Sequence, residues 1–227
     1  MTYVLHYAPD IASLIVRMAL DMLGQPATTK MVDRGSRDQP APTYLPLNPN
    51  GLIPTLITPQ GPIFETGAIL VWLAGRHGAL GPKANSEGRA GFLKWLFFCS
   101  NTVRQQMTLL FYPRKLVAHA EELQRAVQKG AQMKLITHFQ TLNTAETQAF
   151  GHDTPTAIDV AALLRWCAIY GPDDRIWFNL DDTPRLTHFC QRLQDVPATA
   201  NARSAEGLGP TPFTAPRRPN PPEGSAL

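Results

Sequence analysis

Strand-like patterns occur only in the first third of this chain, and helical patterns dominate the remainder. Residues 3–7 alternate and are rich in β-forming side chains, and residues 28–32 have the same character. Residues 54–58 and 62–64 flank a Thr-Pro-Gln-Gly turn, which predicts an antiparallel hairpin. One amphipathic helix follows the first strand and another begins at Glu65. This order, β-α-β and then β-β-α, predicts an α/β unit with a mixed sheet of four strands.

The ends of the first helix carry their own signals. Asp10 follows a strand-breaking proline, and its carboxylate can cap the helix that comes next. Gly24 lies just after the last residue of the apolar pattern, where glycine commonly ends a helix. We therefore expect a helix between these two residues.

The sequence changes character after a stretch rich in small residues and proline at residues 81–85, a candidate linker. Ser86 is expected to cap a long apolar helix that ends near Tyr112. Residues 121–139 predict a second long helix. Because no segment here has a convincing strand pattern, this part of the chain is expected to be all-helical.

Two further helix starts are visible, and the chain then loses its regular patterns. Thr156 and Asp159 form a variant of the capping box, so we assign them to folding and not to chemistry. Thr183 precedes a proline at the start of another helix. Residues 207–227 are rich in proline and glycine, which predicts an extended or disordered tail without helix or sheet.

Charge and composition exclude several classes of partner. The net charge is only +3, from 21 basic and 18 acidic side chains, and no block of like charges occurs. We therefore expect no nucleic acid and no membrane as a partner. The longest apolar stretches, such as residues 68–74, are far shorter than the roughly 20 residues of a membrane span.

The N-terminus and the cysteines indicate a compartment. The first residues have neither the basic nor the apolar region of a signal peptide, so we expect a cytoplasmic protein. The three cysteines are widely spaced within apolar helical patterns, which predicts reduced, buried thiols. The six histidines form no metal-binding pair, so no metal is expected.

Two motifs then resemble a known family. Residues 48–56 read Asn-Pro-Asn-Gly-Leu-Ile-Pro-Thr-Leu, and residues 63–69 read Ile-Phe-Glu-Thr-Gly-Ala-Ile. Together they resemble the N-terminal domain of the glutathione transferase superfamily, and the opening residues are most similar to the bacterial beta class. The resemblance implies an α/β thioredoxin-like N-terminal domain at residues 1–80 and an all-α C-terminal helical domain at residues 86–206. It also implies a homodimer, with glutathione as co-substrate in transfer to a small hydrophobic electrophile.

The residue chemistry fits glutathione at the same motifs. Thr66 lies at a predicted helix N-terminus, where a hydroxyl and free N–H groups suit a carboxylate. Glu65 suits the ammonium of the γ-glutamyl group. If the bond between Ile53 and Pro54 is cis, the backbone of Ile53 can pair with the cysteinyl unit as an added strand would. Taken singly, Thr66 could serve only as a helix cap and Glu65 only as a solvated charge.

A basic residue for the glycyl carboxylate is a further expectation. Arg37 follows the second strand, in a region where enzymes similar to the beta class often carry a basic side chain. An ordinary surface arginine is the alternative interpretation of the same residue.

The catalytic position departs from the family pattern. The cysteine of the beta class corresponds to Ala12, which has no functional group. Ser13 is the first candidate to stabilise the glutathione thiolate, because it is expected in the opening turn of a helix. Tyr7 is the second candidate, although the alternation of its strand could instead direct its ring into the core.

The electrophile is expected to meet side chains of the first long helix of the C-terminal half. The candidates are Phe98, Asn101, Arg104 and Tyr112, although helical spacing makes some of them possible core residues. A non-catalytic glutathione-binding or regulatory protein remains an alternative. So does a glutathione-dependent isomerase, peroxidase or ether-cleaving enzyme, because the fold does not decide the reaction.

Overall fold

The computed structural model describes residues 2–36, 38–145, 154–172 and 177–222. The N-terminal domain has the predicted order of four strands and two helices. These elements are β1 (Tyr3–Tyr7), α1 (Ser13–Met22), β2 (Ala27–Met31), β3 (Thr55–Thr58), β4 (Gly61–Phe64) and α2 (Thr66–His77).

The four strands form one mixed sheet in the order β2-β1-β3-β4. Strand β1 runs parallel to β2, with Tyr3 opposite Ala27, and antiparallel to β3, with Leu5 opposite Leu56. Strands β3 and β4 form the predicted antiparallel hairpin. Helices α1 and α2 pack against each other and against the sheet, which confirms the thioredoxin-like domain predicted from the sequence.

The C-terminal domain is helical throughout its described part. Its α-helices are α3 (Arg89–Phe97), α4 (Arg104–Phe111), α5 (Arg114–Val117), α6 (Glu121–Thr144), α7 (Pro155–Ile169), α8 (Pro184–Gln194) and α9 (Pro197–Glu206). A π-helical segment, Phe98–Val103, joins α3 to α4 without a break. Helix α7 is almost entirely buried, and α1 packs against both α7 and α9, so the two domains share a core.

Three predicted helix caps are corrected by the structure. Ser86 caps no helix, because its hydroxyl donates to the carbonyl of Lys83 and α3 begins only at Arg89. Asp10 does not cap α1, whose cap position is Ala12, and the carboxylate of Asp10 instead forms a buried ion pair.

The third correction concerns the capping box. The cap of α7 is Thr154, whose hydroxyl accepts a hydrogen bond from the N–H of Ala157 at 3.2 Å. Thr156 lies inside the helix, and its buried hydroxyl has no partner among the described residues. Asp159 forms an ion pair with Arg104, so it does not close the predicted box.

The described part of the tail, residues 207–222, contains neither helix nor strand and packs on the helical domain. Leu208 and Phe213 are buried there. The N–H of Asn220 donates to the carbonyl of Gly207 at 2.9 Å, so the segment folds back on its own beginning. Across the described helices, none combines the length and apolar character that a membrane span needs.

Candidate active site

A cleft of about 970 Å³ lies between the two domains. On the N-terminal side its wall is formed by the loop after β1, the loop before β3 and the start of α2. On the other side it is formed by the π-helical segment, α4, the end of α7 and one residue of the tail. Of the residues predicted to bind glutathione or an electrophile, the wall includes Ile53, Pro54, Glu65, Thr66, Asn101, Arg104 and Tyr112.

The bond between Ile53 and Pro54 is cis, which confirms that prediction. The preceding carbonyl, of Leu52, accepts hydrogen bonds from the hydroxyl of Tyr44 at 2.6 Å and from Nδ2 of Asn48 at 2.7 Å. The backbone N–H and C=O of Ile53 have no hydrogen-bond partner within the described chain. The loop is therefore held firmly while one peptide edge at the cleft stays available to a ligand.

The start of α2 brings two further polar groups to the cleft. Glu65 precedes the helix with φ +67°, and Thr66 is its first residue. Neither side chain hydrogen-bonds to another described residue, so Glu65, at the cap position, does not cap the helix with its side chain. Thr66 is the first helical residue and therefore lies one position past the cap. On the opposite wall, Ser100 packs against Gly67, so the π-helical segment closes over this helix end.

Arg37 lies outside the described residues. Arg34, three positions earlier in the same loop, lines the cleft and donates from Nη2 to the hydroxyl of Tyr112 at 3.1 Å. The ammonium of Lys115 lies 4.9 Å from the centre of the Tyr112 ring. The hydrogen bond between Arg34 and Tyr112 links the loop that joins β2 to β3 with the corner between α4 and α5.

The two predicted catalytic hydroxyls do not line the cleft. Ser13 is fully buried, and its Oγ donates to the carbonyl of Ala8 at 2.9 Å and accepts from the N–H of Ala8 at 3.3 Å. Tyr7 is also buried, with the guanidinium of Arg17 at 4.6 Å from its ring centre. These placements argue against both as donors to a bound thiol. Ala12 lines the cleft in their place.

Phe98 is the one predicted electrophile contact that the cleft does not include. Its ring packs at 5.7 Å from Trp95 and at 5.5 Å from His138, on another side of the π-helical segment. Of the two roles that the sequence allows for Phe98, contact with the electrophile or packing in the core, the structure supports packing.

Arg104 begins α4 directly after the π-helical segment and reaches the cleft. Its Nη2 contacts Oδ1 of Asp159 at 2.5 Å, and its guanidinium lies 5.6 Å from the Trp166 ring. Burial raises the pKa of Asp159, and the neighbouring Arg104 charge opposes that rise. Asp159 does not line the cleft, and its ion pair with Arg104 fixes the position of a residue that does.

A buried network around Asp10 was not predicted from the sequence. The carboxylate of Asp10 accepts from Nε and Nη2 of Arg165 at 2.7 and 2.9 Å, from Nε1 of Trp166 at 3.0 Å and from the hydroxyl of Tyr170 at 2.8 Å. Burial, followed by the charge of Asp10, raises the pKa of Tyr170 well above its usual range. An arginine inside the apolar run of α7 was the available signal, because a buried charge requires a partner.

A second carboxylate supports the same loop. Glu206, at the end of α9, accepts from the backbone N–H of Asp10 at 2.8 Å and from Nε of Arg17 at 2.8 Å. Burial raises the pKa of Glu206 to about 7, although the Arg17 charge opposes the shift. The loop that leads to Ala12 is thus held by α7 and α9 together.

Among the described residues, no group of three or more His, Cys, Asp or Glu side chains could hold a metal ion.

Comparisons with known proteins agree with this geometry. Residues 14–83 match the family model described as "Glutathione S-transferase, N-terminal domain". The chain is 27% identical over 209 residues to glutathione S-transferase GstA of Escherichia coli O157:H7, across 90% of this chain and 98% of that one.

Solved structures show the same fold. A beta-class glutathione S-transferase from Sphingomonas chungbukensis superposes with a TM-score of 0.74 at 24% identity, over 91% of this chain and 100% of the other. A Sulfitobacter glutathione transferase homologue, solved with bound glutathione, gives 0.76 at 17% identity, over 89% and 97% of the two chains.

Proposed function

Because this chain belongs to the glutathione transferase superfamily, we propose that it binds glutathione in the interdomain cleft and transfers it to a small electrophile. One observation carries the proposal. The backbone of Ile53, the carboxylate of Glu65 and the hydroxyl of Thr66 meet in one cleft, and none of these groups is used by another described residue. They complement the cysteinyl backbone, the ammonium and the γ-glutamyl carboxylate of glutathione.

The thiolate would be stabilised by the backbone at the start of α1. Ala12 occupies the cap position of this helix and lines the cleft. The N–H of Leu14 is already used by the carbonyl of Ile11, so the dipole of α1 is the feature that favours an anion there. The charge of Asp10 opposes this little, because Arg165 balances it. A free thiol has a pKa of about 8.5, and each unit by which it falls requires about 1.4 kcal/mol of preferential thiolate stabilisation.

The electrophile would lie against the helical wall. Met107, Phe111, Tyr112 and Trp166 contribute apolar and aromatic surface there. The polar side chains of Asn101 and Arg104 border the same space. A mostly apolar wall with a few polar groups is typical of sites for small organic molecules.

Glutathione binding can be tested with one charge-matched pair of variants. Glu65→Gln removes the proposed partner of the ammonium, and Glu87→Gln removes an exposed carboxylate that does not line the cleft. We expect calorimetry to show about a tenfold loss of glutathione affinity for the first variant and no change for the second. If neither wild type nor Glu87→Gln bound glutathione at millimolar concentration, the proposal would be overturned.

A glutathione-binding protein without turnover is the second candidate. It is favoured by Ala12, which supplies no side-chain donor, and by the engagement of the Ser13 hydroxyl with Ala8. A screen of chloronitrobenzenes, peroxides, an aryl ether and an isomerisable ketone separates the possibilities. Tight binding without turnover in any assay would favour the second candidate, and turnover of one class alone would identify the reaction.

We also propose that the protein forms a homodimer. Large apolar side chains are exposed on the loop before β3 and on α3 and α6, including Leu52 at 49%, Phe97 at 50% and Met133 at 64%. Exposed apolar side chains favour burial against a partner where they form one contiguous patch. Sedimentation at micromolar concentration should give about twice the 25.0 kDa of one chain, and a mass near that of one chain would contradict the proposal.

A further inference from the structure

Two aromatic side chains line the cleft beside the loop that leads to Ala12, but their polar groups are already used. Nε1 of Trp166 donates to the carboxylate of Asp10 at 3.0 Å, and the hydroxyl of Tyr170 donates to the same carboxylate at 2.8 Å. The hydroxyl of Ser13 is also engaged, and this residue does not line the cleft. None of these three groups can donate to a glutathione thiolate without breaking a hydrogen bond within the protein.

Arg104 is a donor in the same part of the cleft. Its guanidinium carbon lies 5.6 Å from the ring centre of Trp166, and both residues line the cleft. Because Trp166 is hydrogen-bonded to Asp10, two positions before Ala12, this contact places a cation beside the loop that would meet the thiol. The helical wall therefore supplies a side-chain donor that the start of α1 lacks.

An ion pair holds Arg104 in place and leaves part of its guanidinium accessible. Nη2 contacts Oδ1 of Asp159 at 2.5 Å, and Asp159 does not line the cleft. Nε is buried, whereas 20% of the side chain remains exposed and Nη1 has no hydrogen-bond partner among the described residues. A guanidinium carries five N–H donors in a fixed plane, so one edge can bind a carboxylate while another donates to a ligand. A donor fixed in this way stabilises an anion better than one that must first be ordered.

The other cations on the wall are less well placed for the sulfur. Arg34 and Lys115 both contact Tyr112, which follows the last residue of α4. Tyr112 is therefore about 12 Å along the helix axis from Arg104, which begins α4. Arg218 contacts another aromatic ring of the wall, but it is an exposed residue of the tail. Arg104 is thus the cation that is both fixed and close to the loop of the thiol.

We propose that Arg104 is a catalytic residue whose guanidinium donates a hydrogen bond to the sulfur of bound glutathione. This hydrogen bond and the nearby positive charge favour the thiolate, and the dipole of α1 adds to the effect. The thiol proton passes to solvent, while Arg104 stays protonated because a guanidinium does not lose its proton in proteins. The inference rests on the proposed binding of glutathione.

The thiol pKa of bound glutathione tests the proposal. Thiolate absorbance in the ultraviolet, followed against pH for the complex, gives this value. The protein's own thiols do not interfere, because burial raises the pKa of Cys99 and Cys167 well above their usual range and that of Cys190 to about 12. We expect a thiol pKa below that of free glutathione in the wild type. Arg104→Gln should raise it by about one unit, since a neighbouring opposite charge typically shifts a pKa by about 1–3 units, and Arg104→Lys should recover part of the shift.

A second variant is needed, because Arg104→Gln leaves the carboxylate of Asp159 buried without its partner and can prevent folding. The double variant Arg104→Gln with Asp159→Asn replaces the ion pair by two neutral amides and should show the same rise in thiol pKa. Asp159→Asn alone keeps the cation and should not raise the thiol pKa. An equal rise in Asp159→Asn and in the double variant would mean that the pair acts only through packing, which would overturn the proposal.

Two further variants separate Arg104 from the other cations. Lys115→Gln removes a charge at the far end of α4, and Arg218→Gln removes one from the tail. We expect each to change the thiol pKa much less than the double variant does. A rise in Arg218→Gln as large as that in the double variant would contradict the assignment to Arg104.

S-methylglutathione distinguishes thiolate stabilisation from general support of the cleft. This ligand has no ionisable thiol, so calorimetry should give the same Kd for the wild type and the double variant. At a pH well above the wild-type thiol pKa, glutathione should bind the double variant about tenfold more weakly, which corresponds to one pKa unit. An equal loss of affinity for both ligands would indicate a structural role and would overturn the proposal.

Failure of this inference differs from failure of the proposed function. If the wild type binds neither glutathione nor S-methylglutathione, the proposed function fails and the inference fails with it. If it binds both, but the thiol pKa equals that of free glutathione, only the inference is overturned. The inference is also overturned if the double variant keeps the wild-type thiol pKa and shows a higher KM for a chloronitrobenzene, since Arg104 would then contact the electrophile.

Discussion

Arg165 and Asp10 form a bidentate ion pair across the two domains, with Nε–Oδ1 at 2.7 Å and Nη2–Oδ2 at 2.9 Å. Both side chains are fully shielded from solvent. A buried charge pair of this kind needs further hydrogen bonds to offset its desolvation, and Trp166 and Tyr170 supply them to the carboxylate. The pair fixes the loop before α1 to α7, so folding of the helical domain and geometry of the cleft are coupled.

Breaking this pair from one side should be costly. We predict that Arg165→Met lowers the free energy of unfolding by about 3–5 kcal/mol, because the carboxylate of Asp10 is left buried and uncompensated. The double variant Asp10→Asn with Arg165→Met should recover part of this loss. Urea unfolding of the wild type, both single variants and the double variant gives the coupling energy directly.

An exposed pair provides the control for that cycle. Arg125 and Glu121 on α6 lie 3.5 Å apart with side chains 63% and 81% exposed, so Arg125→Met should change stability by less than about 1 kcal/mol. Additive effects of Asp10→Asn and Arg165→Met would contradict the coupling.

Local patterns in the sequence were sufficient to predict much of the fold. Alternation in residues 3–7 and the turn at residues 58–61 predicted β1 and the β3–β4 hairpin, because strand periodicity and turn chemistry are properties of neighbouring residues. The Ile53-Pro54 and Glu65-Thr66 motifs predicted a polar cluster that the structure brings into one cleft.

What the sequence could not predict depends on residues far apart in the chain. Ser13 is in the first turn of α1 as expected, but the bend of the loop turns its hydroxyl back to Ala8. Asp10 and Asp159 look like ordinary helix caps until their arginine partners, 155 and 55 residues away, are known. The tail looked featureless because no local pattern reveals that Arg165 binds its carbonyl groups.

The placement of Ser13 leads to a prediction about the thiol. Ser13→Ala should leave the pKa of bound glutathione unchanged and lower stability by about 1–2 kcal/mol, because the buried polar groups of Ala8 lose their partner. Ala12→Ser should lower the thiol pKa, since it adds a hydroxyl at the wall of the cleft. Thiolate absorbance in the ultraviolet, followed against pH, measures the thiol pKa in both variants, and urea unfolding measures the stability of Ser13→Ala.

The opposite effects of the two variants on the thiol pKa would support Ser13 as the residue that stabilises the thiolate. A thiol pKa that rises in Ser13→Ala and does not change in Ala12→Ser would mean that the Ser13 hydroxyl turns toward bound glutathione. Tyr7→Phe serves as a second comparison, and we expect it to leave the thiol pKa unchanged because its ring is buried away from the cleft.

The turn that begins the tail should tolerate no side chain. Gly207 has φ +63°, and an added Cβ would collide with the carbonyl of Asn220. Gly209 has φ +81°, but an added Cβ would meet nothing within 4 Å. Both substitutions by alanine cost about 1–2 kcal/mol in backbone strain, so Gly207→Ala should lose more stability than Gly209→Ala and also release the tail. Limited proteolysis followed by mass spectrometry would detect that release, and equal protection in the two variants would contradict it.

The stability of the protein should depend on pH through Glu206. Burial raises the pKa of Glu206 to about 7 from a reference value of 4.5, so the folded protein binds this proton more tightly than the unfolded chain does. The resulting contribution is complete below about pH 4.5 and is lost as pH rises through about 7, with an upper limit on the order of 3 kcal/mol.

Glu206→Gln stays neutral and should lose this dependence. The free energy of unfolding at pH 5 and pH 8 measures it, with Glu121→Gln as an exposed control. Wild type should lose more stability between the two pH values than Glu206→Gln, and parallel profiles would mean that Arg17 keeps the carboxylate charged throughout.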